Sequence, residues 1–221
     1  MQFKAVIFDL DGTIINSLED LCDSVNYVLK NHNFKTHTLD FIRMTIGNGM
    51  RNLIRDSLPA EYKSDDNMVD ACTAELKEYY LLNWNVKTRP YDGINELFSF
   101  LNQNNIPLCV LSNKADKPAN IIVNHYFSDF SFAAICGEKP GVPIKPDPTS
   151  SLTIAKDLGV NPSEILFLGD SAQDIITAKN AGMFAAGALW GFRDEKTLLR
   201  AGADMLFEKP IDLIPFLENN K

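Results

Sequence analysis

Positive charge is scarce in this chain. Its 21 Lys and Arg are outnumbered by 29 Asp and Glu, which leaves a formal net charge of −8. A surface of that sign argues against nucleic acid or an anionic membrane as partner, and a phosphate ligand would need local cations. Cysteine is sparse as well. Cys22, Cys72, Cys109 and Cys136 form no C-x-x-C pair and have no histidine cluster near them, which argues against a zinc site. Cys109, within Leu108-Cys109-Val110-Leu111, reads as a small core residue. The three histidines (His32, His37, His125) are scattered and are expected at the surface or satisfied in the core. The start, Met1-Gln2-Phe3-Lys4, does not read as a signal peptide, and the uncharged stretch from Asn180 to Phe192 is too short to span a bilayer. The reducing cytoplasm is therefore the expected location. We see no internal repeat and no low-complexity linker.

What the chain does have is apolar material, 45% of 221 residues, enough to fill a core or two. Its arrangement is organised by the first fifteen residues. Phe3-Lys4-Ala5-Val6-Ile7-Phe8 reads as a strand buried on both faces, and it ends abruptly in Asp9-Leu10-Asp11-Gly12-Thr13. Residues two apart in an extended chain point the same way, so Asp9 and Asp11 are expected to converge beyond the strand's carboxyl end. Gly12 then permits a sharp turn. Two carboxylates that close repel each other, and burying them calls for a cation or a shared proton.

Beyond this strand, apolar residues at Leu18, Leu21, Cys22, Val25, Val28 and Leu29 predict a helix over 17–30, with Ser17 and Asp20 resembling a capping box. Helical segments continue to about Trp84, broken at Thr45-Ile46-Gly47-Asn48-Gly49 and near Leu58-Pro59. About seventy helical residues before the next strand are too many for a crossover connection and point to an inserted domain. The alternating pattern resumes at Arg89-Pro90-Tyr91-Asp92-Gly93. It predicts strands over 106–111, 132–136, 165–168, 183–189 and 204–207, with helices between them. Asp147 is assigned to capping one of these helices, and Ser171 caps another or serves as a ligand. Alternation of this kind implies a doubly wound parallel sheet, so the fold class is α/β with an inserted helical domain.

Three later strand ends repeat the chemistry of the first. One carries Ser112-Asn113-Lys114, the next is followed by Lys145-Pro146-Asp147-Pro148, and the third by Gly169-Asp170-Ser171 with Asp174 beyond. In a parallel sheet these ends share one edge, so their side chains meet in one crevice.

The four motifs, in this order and spacing, resemble those of haloacid-dehalogenase-superfamily hydrolases, and the likeness covers nearly the whole chain. Within the superfamily the chain looks most like the phosphoglycolate phosphatase group. That resemblance implies a Rossmann-like catalytic core at 1–15 and 90–221 and a helical cap at 16–89. It implies a Mg²⁺-dependent phosphatase acting on a small phosphorylated metabolite such as 2-phosphoglycolate, as a monomer or homodimer. Asp9 would be the nucleophile and Asp11 the general acid and base. Asp9, Asp11 (through its backbone carbonyl) and Asp170 would hold the metal. Thr13, Ser112, Asn113 and Lys145 would bind the phosphoryl group, with Ser171 and Asp174 in support. From the cap, Gly47, Asn48 and Gly49 resemble the group's substrate loop, and Arg51 meets a substrate carboxylate or faces solvent. Trp190-Gly191-Phe192 forms a site wall or, on its apolar character, packs.

Asn16 and Glu138 stand where the group commonly has Asp, which leaves the four motifs intact. A pyrophosphatase of the same superfamily is an alternative. So is a β-phosphoglucomutase-like enzyme, although Asp20 sits where that group tends to place a histidine. A receiver-like phospho-acceptor module would use similar residues but has no reason to carry a seventy-residue insert.

Overall fold

The computed structural model describes residues 2–220. They form two compact units, one of residues 2–15 with 90–220 and one of Asn16–Arg89. The chain passes between them at two-residue strands, β2 (Ile15–Asn16) and β3 (Arg89–Pro90).

The larger unit is a six-stranded parallel sheet. Its strands are β1 (Ala5–Phe8), β4 (Leu108–Ala115), β5 (Ala134–Glu138), β6 (Ile165–Gly169), β7 (Phe184–Ala188) and β8 (Met205–Phe207). They lie in the order β5-β4-β1-β6-β7-β8. The chain builds outward from β1 through β4 to β5, then returns to the other side of β1 with β6. That reversal leaves a crevice at the carboxyl end of β1, between β4 and β6, where open α/β sheets take their ligands. Asp9 is the residue that follows β1.

All four residues of β1 are buried, as its apolar run requires. Alternate side chains go to opposite faces. Ala5 and Ile7 join Cys109, Leu111, Ile165 and Phe167 in a cluster with Ile154 of α7 (Thr149–Leu158), Ile175 and Ala178 of α8 (Ala172–Ala181), and Leu198 of α9 (Glu195–Ala201). Phe8 faces the other way and meets Phe98 of α5 (Ile94–Gln103) edge to face at 5.3 Å, and Phe98 in turn touches Phe127 and Phe132. A fully buried Ile or Phe contributes roughly 1.5–3 kcal/mol, so β1 is anchored from both faces.

Most sequence boundaries hold to within two residues. β4 is the exception. It runs on past Leu111 through Ser112, Asn113 and Lys114, with an irregular register against β5, so this motif lies in the strand itself. Asp147 accepts from the Thr149 amide at 2.9 Å, but α7 starts one residue later than expected, with Pro148 at the cap position and no side-chain cap hydrogen bond. Ser171 accepts the Asp174 amide and Asp174 accepts the Ser171 amide, a capping box that starts α8.

The smaller unit packs α1 (Leu18–Asn31), α2 (Leu39–Thr45), α3 (Met50–Ser57) and α4 (Asp66–Asn83) around Val25, Val28, Leu29, Ile42, Ile54, Val69 and Leu76. The capping box expected at Ser17 and Asp20 does not form. The Ser17 side chain makes no cap hydrogen bond, and Asn16 Oδ1 accepts from the Leu18 amide at 3.3 Å instead. Asp20 is drawn elsewhere: it accepts from the amides of Lys87 and Thr88 and from the Thr88 hydroxyl at 2.8–3.0 Å. Three nearby donors at the far end of the insert outcompete one amide of its own helix. No helix among the described residues is long and apolar enough to cross a membrane.

Candidate active site

The strand ends deliver a buried charge cluster. Asp9 follows β1, Asp170 follows β6, and Asp174 sits in the first turn of α8; carboxylate oxygens of all three lie within 4.8 Å of one another. Lys145 enters from the loop after β5. Its ammonium stands 2.5 Å from Asp174 Oδ1 and 2.8 Å from Asp9 Oδ1, and its side chain is only 4% exposed. The contact with Asp9 is an ion pair lacking hydrogen-bond alignment, so Asp9 Oδ1 is a buried oxygen without a hydrogen-bond partner.

The electrostatics follow from that crowding. Burial, with the Asp174 charge added, pushes the Asp9 carboxyl up to about 7 against the pull of Lys145. Burial also raises Asp170, to about 8, aided by Asp174 and Asp9. Burial opposes the Lys145 ammonium too, but the charges of Asp174 and Asp9 outweigh it and the lysine is held protonated above its ordinary value. One buried cation among three carboxylates leaves the cluster short of positive charge.

Each remaining carboxylate has defined partners. Asp170 accepts from the Thr13 hydroxyl at 3.2 Å and from the Phe192 amide at 2.7 Å. Asp174 Oδ2 accepts from Ser171 through both its amide, at 3.0 Å, and its hydroxyl, at 2.6 Å. Asp174 thus ties Lys145 to the start of α8, while its carboxylate also belongs to the cluster itself.

Asp11 turns away from the cluster. Both its oxygens are held by the Lys114 ammonium, at 2.8 and 2.9 Å. The Lys114 amide donates to Ser112 Oγ at 3.2 Å. Asn113, expected to grip a phosphoryl oxygen, has its amide group on Lys145. Its Oδ1 accepts the Lys145 amide at 2.9 Å and its Nδ2 donates to the Lys145 carbonyl at 3.1 Å, so the side chain fixes the loop that presents the lysine. Thr13 sits with its hydroxyl on Asp170 and its carbonyl accepting from the Trp190 indole at 2.9 Å.

The sequence reading passed over Arg193 and gave Gly191 only as part of a tripeptide that forms a site wall or packs. A Cβ on Gly191 would overlap the Asp170 side chain, and one on Gly12, at φ +87°, would overlap its carboxylate. The absence of side chains at these two points lets the backbone close around Asp170. Arg193 is partly buried nearby; desolvation holds its guanidinium below its usual range while Asp170 and Asp174 favour the charged form. The tripeptide Trp190-Gly191-Phe192 therefore does more than pack, and a glycine beside two aromatics was the available signal.

Four of the sequence-chosen residues belong to the smaller unit. Gly47 and Gly49 take positive φ, and Gly49 precedes α3. Asn48 accepts through its carbonyl from the Asn52 side chain at 2.8 Å. Arg51 pairs with Asp66 at 2.7 Å and Asp70 at 2.6 Å, so its guanidinium is engaged by α4.

A family model described as haloacid dehalogenase-like hydrolase matches residues 6–188. The chain belongs to that family. As a haloacid dehalogenase-like hydrolase it is 33% identical over 218 residues to a phosphoglycolate phosphatase of Mannheimia succiniciproducens, covering 96% of this chain and 97% of the relative. It is 28% identical to an N-acetylmuramic acid 6-phosphate phosphatase of Pseudomonas aeruginosa, covering 99% and 96%. Among solved structures, one from Haemophilus somnus described as a predicted phosphoglycolate phosphatase superposes with a TM-score of 0.90 at 28% identity, covering 98% of each chain.

Proposed function

We propose that this hydrolase is a Mg²⁺-dependent phosphomonoesterase that works through an aspartyl-phosphate on Asp9. The observation that carries the reading is the buried cluster of Asp9, Asp170, Asp174 and Lys145 at the crevice of the sheet. Asp9 supplies an oxygen to phosphorus; as that bond forms, the bond to the leaving oxygen breaks and its electron pair takes a proton from Asp11. Water then attacks the phosphorus, Asp11 accepts its proton, and Asp9 is released. Lys145 and the hydroxyl of Ser112 serve the transferring oxygens. An ammonium ~4 Å from a phosphate oxygen is worth about 4 kcal/mol at an effective dielectric near 20.

The residues present fit a hard divalent ion. The donor set is all oxygen, two carboxylates are raised by burial, and Asp9 Oδ1 lacks a hydrogen-bond partner. Asp9, Asp170 and the main-chain carbonyl of Asp11 would hold it, with Asp174 beside them. Bound there, Mg²⁺ would neutralise the repulsion between carboxylates and phosphate dianion.

Small esters are the proposed substrates, with 2-phosphoglycolate first, in keeping with the relatives' names. The helical insert is assigned, by the family resemblance, as the cap that limits substrate size, and Gly47, Asn48 and Gly49 as its substrate-binding residues. Arg51 joins them only if it leaves Asp66 and Asp70. Phosphate release tests this across 2-phosphoglycolate, N-acetylmuramic acid 6-phosphate, p-nitrophenyl phosphate and a phosphopeptide. Turnover should vanish in EDTA, return with Mg²⁺ and favour the small esters. Full activity in chelator sinks the metal, and efficient peptide turnover sinks the size limit.

A further inference from the structure

We infer that Lys114 is a positioning residue for the proton-transfer step, holding Asp11 by both oxygens so that one of them faces the leaving group. The inference rests on the reading of Asp11 as acid and base, and goes beyond it by naming the group that governs Asp11.

The geometry is specific. The Lys114 ammonium contacts Asp11 Oδ1 at 2.9 Å and Oδ2 at 2.8 Å, and the two side chains are 5% and 14% exposed. Lys114 belongs to β4, which carries it past Leu111 to the edge where β1 ends. Its own amide is fixed on Ser112 Oγ at 3.2 Å, so the clamp and the phosphate-binding hydroxyl share one rigid stretch of strand. The lysine thus has a short path from a strand backbone to the carboxylate, and little solvent competes for either group.

A carboxylate on a turn otherwise rotates about two side-chain bonds. An ammonium bonded to both oxygens removes that freedom in advance of the reaction, which is the kind of contribution orientation makes to catalysis. In the first step the leaving oxygen accepts Asp11's proton as the phosphorus–oxygen bond breaks. One carboxylate oxygen serves that transfer while the other stays on Lys114. In the second step the same oxygen accepts a proton from the attacking water.

The role predicts a dependence on the leaving group that mere structural support would not produce. Alkyl phosphates need protonation at the leaving oxygen, whereas p-nitrophenolate departs with little help. In Lys114→Met, kcat/KM for 2-phosphoglycolate and for ethyl phosphate should fall ~10²-fold, within the range of general acid catalysis, against several-fold for p-nitrophenyl phosphate. Lys114→Arg, which can also bond both oxygens, should recover a large part of the loss. In an Asp11→Asn background, adding Lys114→Met should cost under about threefold, because residues that act as a unit are not additive. Equal losses across all three esters, or a full additional loss in Asp11→Asn, overturns the assignment. The companion result separates the two readings. If Asp11→Asn shows no leaving-group dependence, the acid role falls and this proposal with it; if it does and Lys114→Met does not, only Lys114 is wrongly assigned.

Discussion

At the scale of single residues the site is a problem of excess negative charge, and that gives Asp9 two opposed effects. Asp9→Asn should reduce turnover to background, since the amide cannot attack phosphorus. The same change should stabilise the metal-free protein at alkaline pH. The sign follows from the folded carboxyl at about 7 against an ordinary 3.8: ionising it above pH 7 costs the folded state, and the amide is spared that cost. A Tm higher by about 2 °C or more at pH 8.5 in chelator is expected, and a lower Tm would show that the pairing with Lys145 outweighs burial. Asp9 and Asp170 directly follow strands, so topology alone brings them to the crevice, whereas Lys145 lies seven residues beyond β5 and its role, like theirs, was proposed from the family resemblance of its motif. The partners of Asn113 and Lys114 were not legible. Whether an amide bonds phosphate or the main chain of a loop 32 positions away depends on side-chain packing, which spacing does not encode. The specific part of Gly191 within its tripeptide was not legible for a related reason: its value lies in what a Cβ would strike, an atom of Asp170.

At the scale of elements, periodicity located every core strand, and local end signals did less well. α8 began where its Ser171 and Asp174 promised, because both groups of the capping box are local. Ser171→Ala removes that cap and one bond to Asp174, and should cost about 1 kcal/mol, or about 2–4 °C in Tm. Loss of activity beyond that stability change would mark the path from Ser171 through Asp174 to Lys145; no loss would limit Ser171 to capping. At α1 the same sequence logic failed, since Asp20 found the Lys87 and Thr88 donors. Asp20→Ala leaves three donors without this acceptor at the end of the insert and should destabilise the protein by about 2–4 kcal/mol. A cost below about 1 kcal/mol in urea unfolding would show that water replaces the carboxylate freely.

For the whole molecule, the raised carboxylates couple stability to pH and metal. In the absence of divalent ions, stability should fall as pH rises from about 4 through about 8, because the folded state holds protons on Asp9 and Asp170 that the unfolded chain has released. An ion that prefers the ionised cluster reverses this, so Mg²⁺ should raise Tm more at pH 8 than at pH 5.5. An equal shift at both values would place the ion away from these groups. The order of the strands has a consequence in time as well. β1 pairs with β4, about a hundred residues later, and with β6, later still. During vectorial synthesis its apolar run is made first among the strands yet has no partner until β4 emerges, and its second edge stays open until β6 follows. The central strand of the sheet is thus the one that waits longest, a high-contact-order arrangement that slows folding and leaves a sticky segment exposed meanwhile. Asp9 follows that strand, so the residue proposed as nucleophile stays unplaced until β6 has been made.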